Sequence, residues 1–275
     1  MTPLKSPPQT SYDPKYFAPL FEAEDRHFWF RSRNIILSKI VEKYSAGFSD
    51  GFRLLEVGCG TGNVLSMLEK TCSRGKAAGM DLFSDGLRFA RRRVKLPLIQ
   101  GDILKPPFKP CFNMLCMFDV LEHLPDDIEI LRSARRLLAD GGRIMLTVPA
   151  DSRLWSYFDT ASHHYRRYTS ADLGQKLAGA GYEVEFISPY MFSIYPVVRL
   201  IRRLTGRGRD GQPLDEEQIE KKSTGELAII PVVNEILFRI LSLEAGWLVS
   251  GRRFPAGTSL LAVARMMGSS DQDRG

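Results

Sequence analysis

Leu54-Leu55-Glu56-Val57-Gly58-Cys59-Gly60-Thr61-Gly62-Asn63 is an apolar run, then three glycines at alternate positions, then the start of a helical pattern. The stretch reads as a strand entering a tight turn that opens a helix. Glycines let the backbone fold sharply there and let a ligand approach with no Cβ in the way. The spacing Gly58-x-Gly60-x-Gly62 differs from the Gly-x-Gly-x-x-Gly that seats a dinucleotide pyrophosphate on a helix N-terminus. Alone, it also fits an ordinary strand-to-helix turn.

Around this turn, strands are predicted at Arg53–Cys59, Lys76–Leu82, Leu96–Asp102, Phe112–Leu121 and Gly142–Pro149. Helices are predicted at Gly62–Lys70, Ser84–Arg93 and Asp126–Ala139. The alternation argues for βαβ units and a parallel sheet. A further helix is expected from Ser170, a strand at Glu183–Pro189 and a final strand at Thr258–Met266. Asp81 closes the second strand about 20 residues beyond the turn, from where a carboxylate reaches both hydroxyls of a ribose. Asp102 ends the third strand within reach of an adenine amino group, and Glu56 adds negative charge beside the turn. Such an acidic lining suits S-adenosyl-L-methionine (SAM), which carries a sulfonium and an ammonium and no phosphate, better than it suits NAD.

These residues resemble those of class I SAM-dependent methyltransferases of the type 11/12-like bacterial subgroup. The resemblance runs through Glu56–Gly62, Asp81, Gly101-Asp102, Phe118-Asp119-Val120-Leu121-Glu122-His123-Leu124 and Leu137-Leu138-x-x-Gly141-Gly142. It implies a Rossmann-like α/β fold whose seven-stranded sheet has the order 3-2-1-4-5-7-6, with Thr258–Met266 as the antiparallel seventh strand after a helical insertion. It also implies that Gly58, Gly60 and Gly62 pack against the methionine part of SAM and that Asp81 binds the ribose. Asp102 and the Ile103 amide would bind adenine, and Phe118 would line the methionine end. The cluster His27-Phe28-Trp29-Phe30-Arg31 resembles the subgroup's N-terminal segment. There Trp29 or Phe30 would cover the cofactor and Arg31 would meet its carboxylate; a helix merely docked on the sheet is the competing expectation.

The loop after the fifth strand, Leu154-Trp155-Ser156-Tyr157-Phe158-Asp159 followed by His163-His164-Tyr165-Arg166-Arg167-Tyr168-Thr169, should border the ligand crevice, as loops beyond the carboxyl ends of the strands do in open α/β sheets. It resembles a stretch of the same subgroup in which His164, not His163, is the matching histidine. His164 is the first candidate for a catalytic base and Asp159 the second. The alternative, in which Asp159, Arg166 and Arg167 only pin the loop by ion pairs, stays open, as does a structural role for His123. No metal is assigned: Cys59, Cys72, Cys111 and Cys116 form no Cys-x-x-Cys pair, and no histidine lies at zinc-finger spacing from them.

One domain is expected over 18–267, between disordered tails at 1–17 and 268–275, with a helical lid at 18–50 and a helical cap insertion at 190–250. The N-terminus has no apolar signal-peptide core, so a cytoplasmic setting is expected. The net charge of +6 is compatible with an anionic partner. Arg199, Arg202, Arg203, Arg207 and Arg209 carry the basic run, but no aromatics on which bases could stack lie within it, so nucleic acid is disfavoured. A noncatalytic SAM-binding protein is a second alternative. The expected acceptor is a small molecule, lipid-like or polyprenyl-linked. Apolar segments at Tyr190–Leu204 and Leu227–Val249 would form a dimer interface or core, or a cap in peripheral contact with an anionic membrane. The polar stretch Gly206–Ser223 is expected to be a hinge between them.

Overall fold

The computed structural model describes residues 12–205, 225 and 227–267. Its apolar runs pair into a seven-stranded sheet of order β3-β2-β1-β4-β5-β7-β6, with β1 Arg53–Val57, β2 Lys76–Asp81, β3 Leu98–Gln100, β4 Phe112–Phe118, β5 Leu138–Pro149, β6 Tyr182–Tyr190 and β7 Ser259–Met266. β7 runs antiparallel to β5 and β6, and the pairs along β3-β2-β1-β4-β5 are parallel. The expected order and the antiparallel strand are both present.

Central strands covered on both faces read as continuous apolar runs, with alternate residues serving different layers. Leu55, Leu115, Met117, Ile144, Leu146, Leu260 and Ala262 pack against α5 (Asp127–Arg135) and α7 (Ser170–Gly179) through Ile130, Leu131, Ala134, Leu173 and Leu177. Leu54, Met114, Cys116, Met145, Leu261 and Val263 face the other way, toward α2 (Phe28–Ser45), α3 (Asn63–Thr71) and a long helix at Pro231–Val249, here α9. Local caps start the helices of the first layer. The Asp126 carboxylate accepts the Glu129 amide at the head of α5, and the Thr169 hydroxyl accepts the Asp172 amide at the head of α7. Each such cap contributes typically about 1 kcal/mol. In α2 the inward face is Arg33, Ile36, Leu37, Ile40 and Val41, a 3-4-7-8 spacing. Its four aliphatic side chains are fully buried and contribute roughly 6–12 kcal/mol of transfer free energy in all, as an upper bound.

The sequence differs from the structure at several edges. β4 stops at Phe118 and β3 holds only Leu98–Gln100, so Asp102, Asp119 and Val120 lie on loops at the carboxyl ends of their strands, and Leu121 opens a 3₁₀ turn. α5 ends at Arg135, not Ala139, because Leu137 and Leu138 leave the helix to bury against the sheet. The register then slips between Phe112 and Met114 opposite Gly141, whose φ is +69°. The tail expected over 1–17 is structured from residue 12: Asp13 caps a 3₁₀ turn at Pro14–Tyr16, and Phe17 is buried at the start of α1 (Phe17–Ala23). Aromatic contacts of Tyr12 and Phe17 with the main domain hold it there. Within the expected insertion, α8 spans Tyr195–Thr205. The expected hinge at 206–223, residues 1–11 and the expected tail at 268–275 lie outside the described residues.

Candidate active site

The carboxyl ends of β1, β2 and β4 open on a cavity of about 560 Å³, within the range that holds small-molecule ligands. Gly58, Gly60 and Gly62 all have positive φ, at +73°, +47° and +77°, but they serve different ends. A Cβ on Gly58 would lie 2.4 Å from Val120 Cγ2, and one on Gly62 would lie 2.9 Å from the Ala90 backbone. Gly62 therefore lets α3 close on α4 (Ser84–Arg93). It does not line the cavity, which corrects its expected role beside the methionine. A Cβ on Gly60 would meet nothing nearer than Phe17 at 3.7 Å, so this position faces the cavity.

The Gly60 amide donates to Asp81 Oδ2 at 2.7 Å and the Phe83 amide to Oδ1 at 2.8 Å. Turn and carboxylate thus fix one another. Burial holds the Asp81 carboxyl up at about 6, against the amides of Phe83, Gly60 and Leu82 that favour its ionised form. Asp102, Ile103, Phe118 and Trp29 also line the cavity, and Asp102 Oδ1 accepts the Leu104 amide. Glu56 lines it too, with Oε2 buried and unpartnered. Burial drives the Glu56 carboxyl well above the usual carboxylate range, with Arg33 the counter-charge and Asp81 and Glu24 opposing it. A buried carboxyl with one oxygen free, on a cavity wall, is an environment that a cationic group would relieve.

Arg31 does not reach this cavity. It pairs with Glu235 at 3.0 Å and lies over the Phe238 ring at 3.6 Å, on the face of α2 that meets α9. The α2 guanidinium on the cavity wall is that of Arg33, which donates to Asp119 Oδ2 at 2.7 Å and sits over Trp29 and Phe30. Helical phase decides between them: Arg33 shares the inward face with Ile36, Leu37 and Ile40, and that spacing is present in the sequence. Asp119 also accepts the Thr147 hydroxyl and has φ +56°, a conformation that persists in non-glycine residues when the surroundings enforce it. Glu24, on the N-terminal segment, accepts from the Thr61 hydroxyl and from Arg93, whose guanidinium also meets the Phe21 carbonyl and Asp25. Tyr12 packs on Phe17, Phe83 and His123. These lid contacts carry no short-range sequence signal.

On the loop after β5, His164 Nδ1 lies 2.9 Å from Asp159 Oδ1. Asp159 is fully buried. It accepts from Arg167 Nε at 2.7 Å and from the Ser156 amide at 2.8 Å, closing a capping box on α6 (Tyr157–Ala161). Burial alone would raise its carboxyl, but His164 and Arg167 outweigh burial and hold it below the usual range. An ionised carboxylate only accepts, so His164 Nδ1–H donates to it, and in the neutral imidazole Nε2 then carries the lone pair. Asp159 is thereby occupied on both oxygens and stands outside the cavity lining. That corrects its expectation as a second base; it orients His164. His123 packs its ring 4.8 Å from that of His164. Burial, with His164 adding to it, pushes His123 down to about 3.

A family model described as a methyltransferase domain matches residues 26–186. The chain belongs to the class I SAM-dependent methyltransferases. Among curated relatives, a probable SAM-dependent methyltransferase of Mycolicibacterium smegmatis is 25% identical over 167 residues, covering 58% of this chain and 62% of the relative. A fatty-acid O-methyltransferase of the same organism is 38% identical over 103 residues, covering 36% and 37%. The chain therefore spans less than two thirds of the length of these relatives. A Haloferax volcanii methyltransferase solved in complex with a methyltransferase activator shares the fold, with a TM-score of 0.59, 15% identity and coverage of 93% and 97%. No helix among the described residues is long and apolar enough to cross a membrane.

The raised Asp81 carboxyl gives the SAM site a pH signature. Its folded value of about 6 exceeds the ordinary 3.8, so the folded protein binds the extra proton and gains stability as pH falls through that interval. If Asp81 holds the ribose of SAM, affinity should change in the opposite sense, rising from pH 5 to pH 7 as the Asp81 carboxylate ionises. Asp81→Asn should flatten that profile. Asp81→Ala should weaken SAM by about 1–3 kcal/mol, the scale of hydrogen bonds to a charged group. Calorimetric titration across pH measures both, and a flat profile in the parent chain would remove Asp81 from the ribose contact.

Proposed function

We propose that this chain transfers the methyl group of SAM to a small-molecule acceptor carrying an apolar chain. The observation that carries the reading is one cavity lined by two chemically distinct sets of groups. The glycine turn, Asp81 and the unpartnered Glu56 carboxyl form one set, and the Asp159-paired His164 belongs to the other. SAM supplies an electrophilic methyl on a sulfonium. Asp81 and the Asp102–Ile103 segment would hold its nucleoside, Gly58 and Gly60 its methionine part, and Glu56 its ammonium, while Arg33 is placed to meet its carboxylate. The lid side chains Tyr12, Phe17 and Trp29 exclude water, and His164 accepts or polarises the acceptor proton. Such positioning contributes roughly 7–11 kcal/mol, and a general base about 10²–10⁴-fold.

Support for an apolar acceptor comes from the mouth of the cavity, lined by Ile194, Val198 and Leu227. Beyond it, Val197, Leu200 and Leu204 of α8 and Val232, Ile236 and Leu243 of α9 are exposed by 52–78%. A curated relative is named a fatty-acid O-methyltransferase, in the same direction. Arg199 and Arg203 project outward from α8, whereas Arg202 turns in over the Tyr157 ring at 5.0 Å. The basic run is therefore split between surface and cavity, which favours a headgroup contact over a nucleic-acid track. Mass spectrometry of lipid and metabolite extracts incubated with the protein and methyl-labelled SAM tests the reading. Label in an acyl or prenyl species is the expected result; label confined to RNA, or absent from every fraction, would overturn it.

The exposed faces of α8 and α9 are expected to rest on an anionic membrane surface. In liposome sedimentation, binding should need anionic lipid, fall with salt, and weaken on Arg199→Ser with Arg203→Ser. Retention in the supernatant at low salt, with a dimer mass by light scattering, would assign these faces to self-association.

A further inference from the structure

Glu122, His123 and His164 each offer one ligand atom, and these atoms all lie within 4.8 Å of one another. We propose that they form a site for a divalent first-row transition ion of the zinc class at the acceptor end of the cavity. Two of the three ligands present a buried polar atom with no hydrogen-bond partner, Glu122 Oε2 and His123 Nδ1, and Glu122 as a whole is only 1% exposed. Leaving such groups unmatched is costly, and one cation placed between them removes that cost. The third ligand, His164, commits Nδ1 to Asp159 and keeps the Nε2 lone pair.

The outer contacts fit the same role. A metal-bound imidazole normally donates its other N–H to a carboxylate or a backbone carbonyl. His164 donates to Asp159, which is itself clamped by Arg167. His123 hydrogen-bonds the Ser162 backbone, and with Nδ1 unpartnered this bond falls to Nε2. Glu122 and His123 are consecutive in one 3₁₀ turn, Leu121–His123, and the Glu122 carbonyl is tied to the His164 loop by the Tyr165 amide at 2.8 Å. Two imidazoles and a carboxylate suit zinc-type ions rather than magnesium or calcium. Metal–nitrogen bonds of 2.0–2.1 Å put tetrahedral ligand atoms about 3.3 Å apart, so side-chain rotation must close the present gaps by up to about 1.5 Å.

Three protein ligands leave one coordination position open, the pattern of catalytic rather than structural zinc sites. Resting on the proposed methyl transfer, that position takes the acceptor hydroxyl or thiol. The acceptor's proton leaves to solvent water, its lone pair forms the bond to the methyl carbon, and the carbon–sulfur bond breaks with its electron pair left on sulfur. In this arrangement the ion ionises the acceptor, and His164 serves by holding the ion, in place of taking the acceptor proton itself.

The test is titration of the chelator-stripped full chain with Zn²⁺ and with Mg²⁺ by calorimetry, and with Co²⁺ by visible absorption. One Zn²⁺ per chain with micromolar or tighter affinity, far weaker Mg²⁺, and Co²⁺ ligand-field bands are expected. Glu122→Gln and His123→Gln should each weaken Zn²⁺ at least 100-fold, and Asp159→Asn by about 10–100-fold through His164 alone. SAM affinity in metal-free buffer should stay within threefold for the two ligand variants, which also reports that they fold. Absence of Zn²⁺ binding, or equal binding by the parent chain and both ligand variants, would overturn the site. Zn²⁺ binding with no SAM binding would uphold it and sink the methyl-transfer reading instead.

Discussion

Gly60→Val should lose SAM binding by more than 100-fold, a change of over about 2.7 kcal/mol, while the protein still folds. The position faces the cavity, with only Phe17 near the path of a side chain, so the valine methyls occupy volume that the cofactor needs. The φ of +47° adds strain, since a left-handed conformation costs an L-residue roughly 1–2 kcal/mol. Relaxing that strain moves the Gly60 amide, and with it the Asp81 carboxylate it holds at 2.7 Å. Both consequences act on the same ligand. Gly62→Ala is the control. Its Cβ would strike the Ala90 backbone at 2.9 Å and should lower the melting temperature more than Gly60→Val does, without entering the cavity. Calorimetry with SAM beside thermal melts separates the two. If Gly60→Val binds SAM like the parent chain, the turn is structural and the cofactor site lies elsewhere.

His164→Ala is expected to cut single-turnover methylation by about 10²–10⁴-fold, the scale of a general base, with SAM affinity within threefold. The two effects separate because His164 belongs to the loop after β5, whereas the glycine turn and Asp81 belong to β1 and β2. The loop should survive the change, since Asp159 keeps Arg167 and the Ser156 amide after the imidazole is gone. Asp159→Asn acts differently. It leaves His164 in place but loosens its orientation, so it should lower kcat less than His164→Ala does and leave KM nearly unchanged. Equal losses of turnover and SAM affinity in His164→Ala would mean that the residue only folds the loop, and undiminished turnover would remove it from the reaction.

Much of the frame was legible because its determinants are local. Alternation of apolar residues specifies which strand faces meet which helix layer, and glycine at positive φ marks the turn wherever the chain folds. Asp81 could be placed because a strand of known start has a known end. The same reasoning failed where helical phase was not applied: Arg31 and Arg33 lie two residues apart, so they point to different sides of α2, and only Arg33 is inward. It also mistook Gly62, whose close neighbour Ala90 lies on a different helix.

The sequence by itself determined the sheet order, through the family resemblance carried by its motifs, and the glycine–aspartate half of the site. Periodicity and short motifs act between residues close along the chain, and a parallel βαβ frame leaves few topologies open. Tertiary structure alone decided the other half. Asp159 became an ion-paired orienter instead of a base because Arg167 reaches it across the loop. Glu24 joined Arg93 across 69 residues, and Tyr12 came to rest on His123. Glu122, His123 and His164 converged because the loop after β5 folds back over the end of β4. Side chains that meet only after helices and loops dock leave no spacing to read, since their proximity is set by the packing of the whole domain.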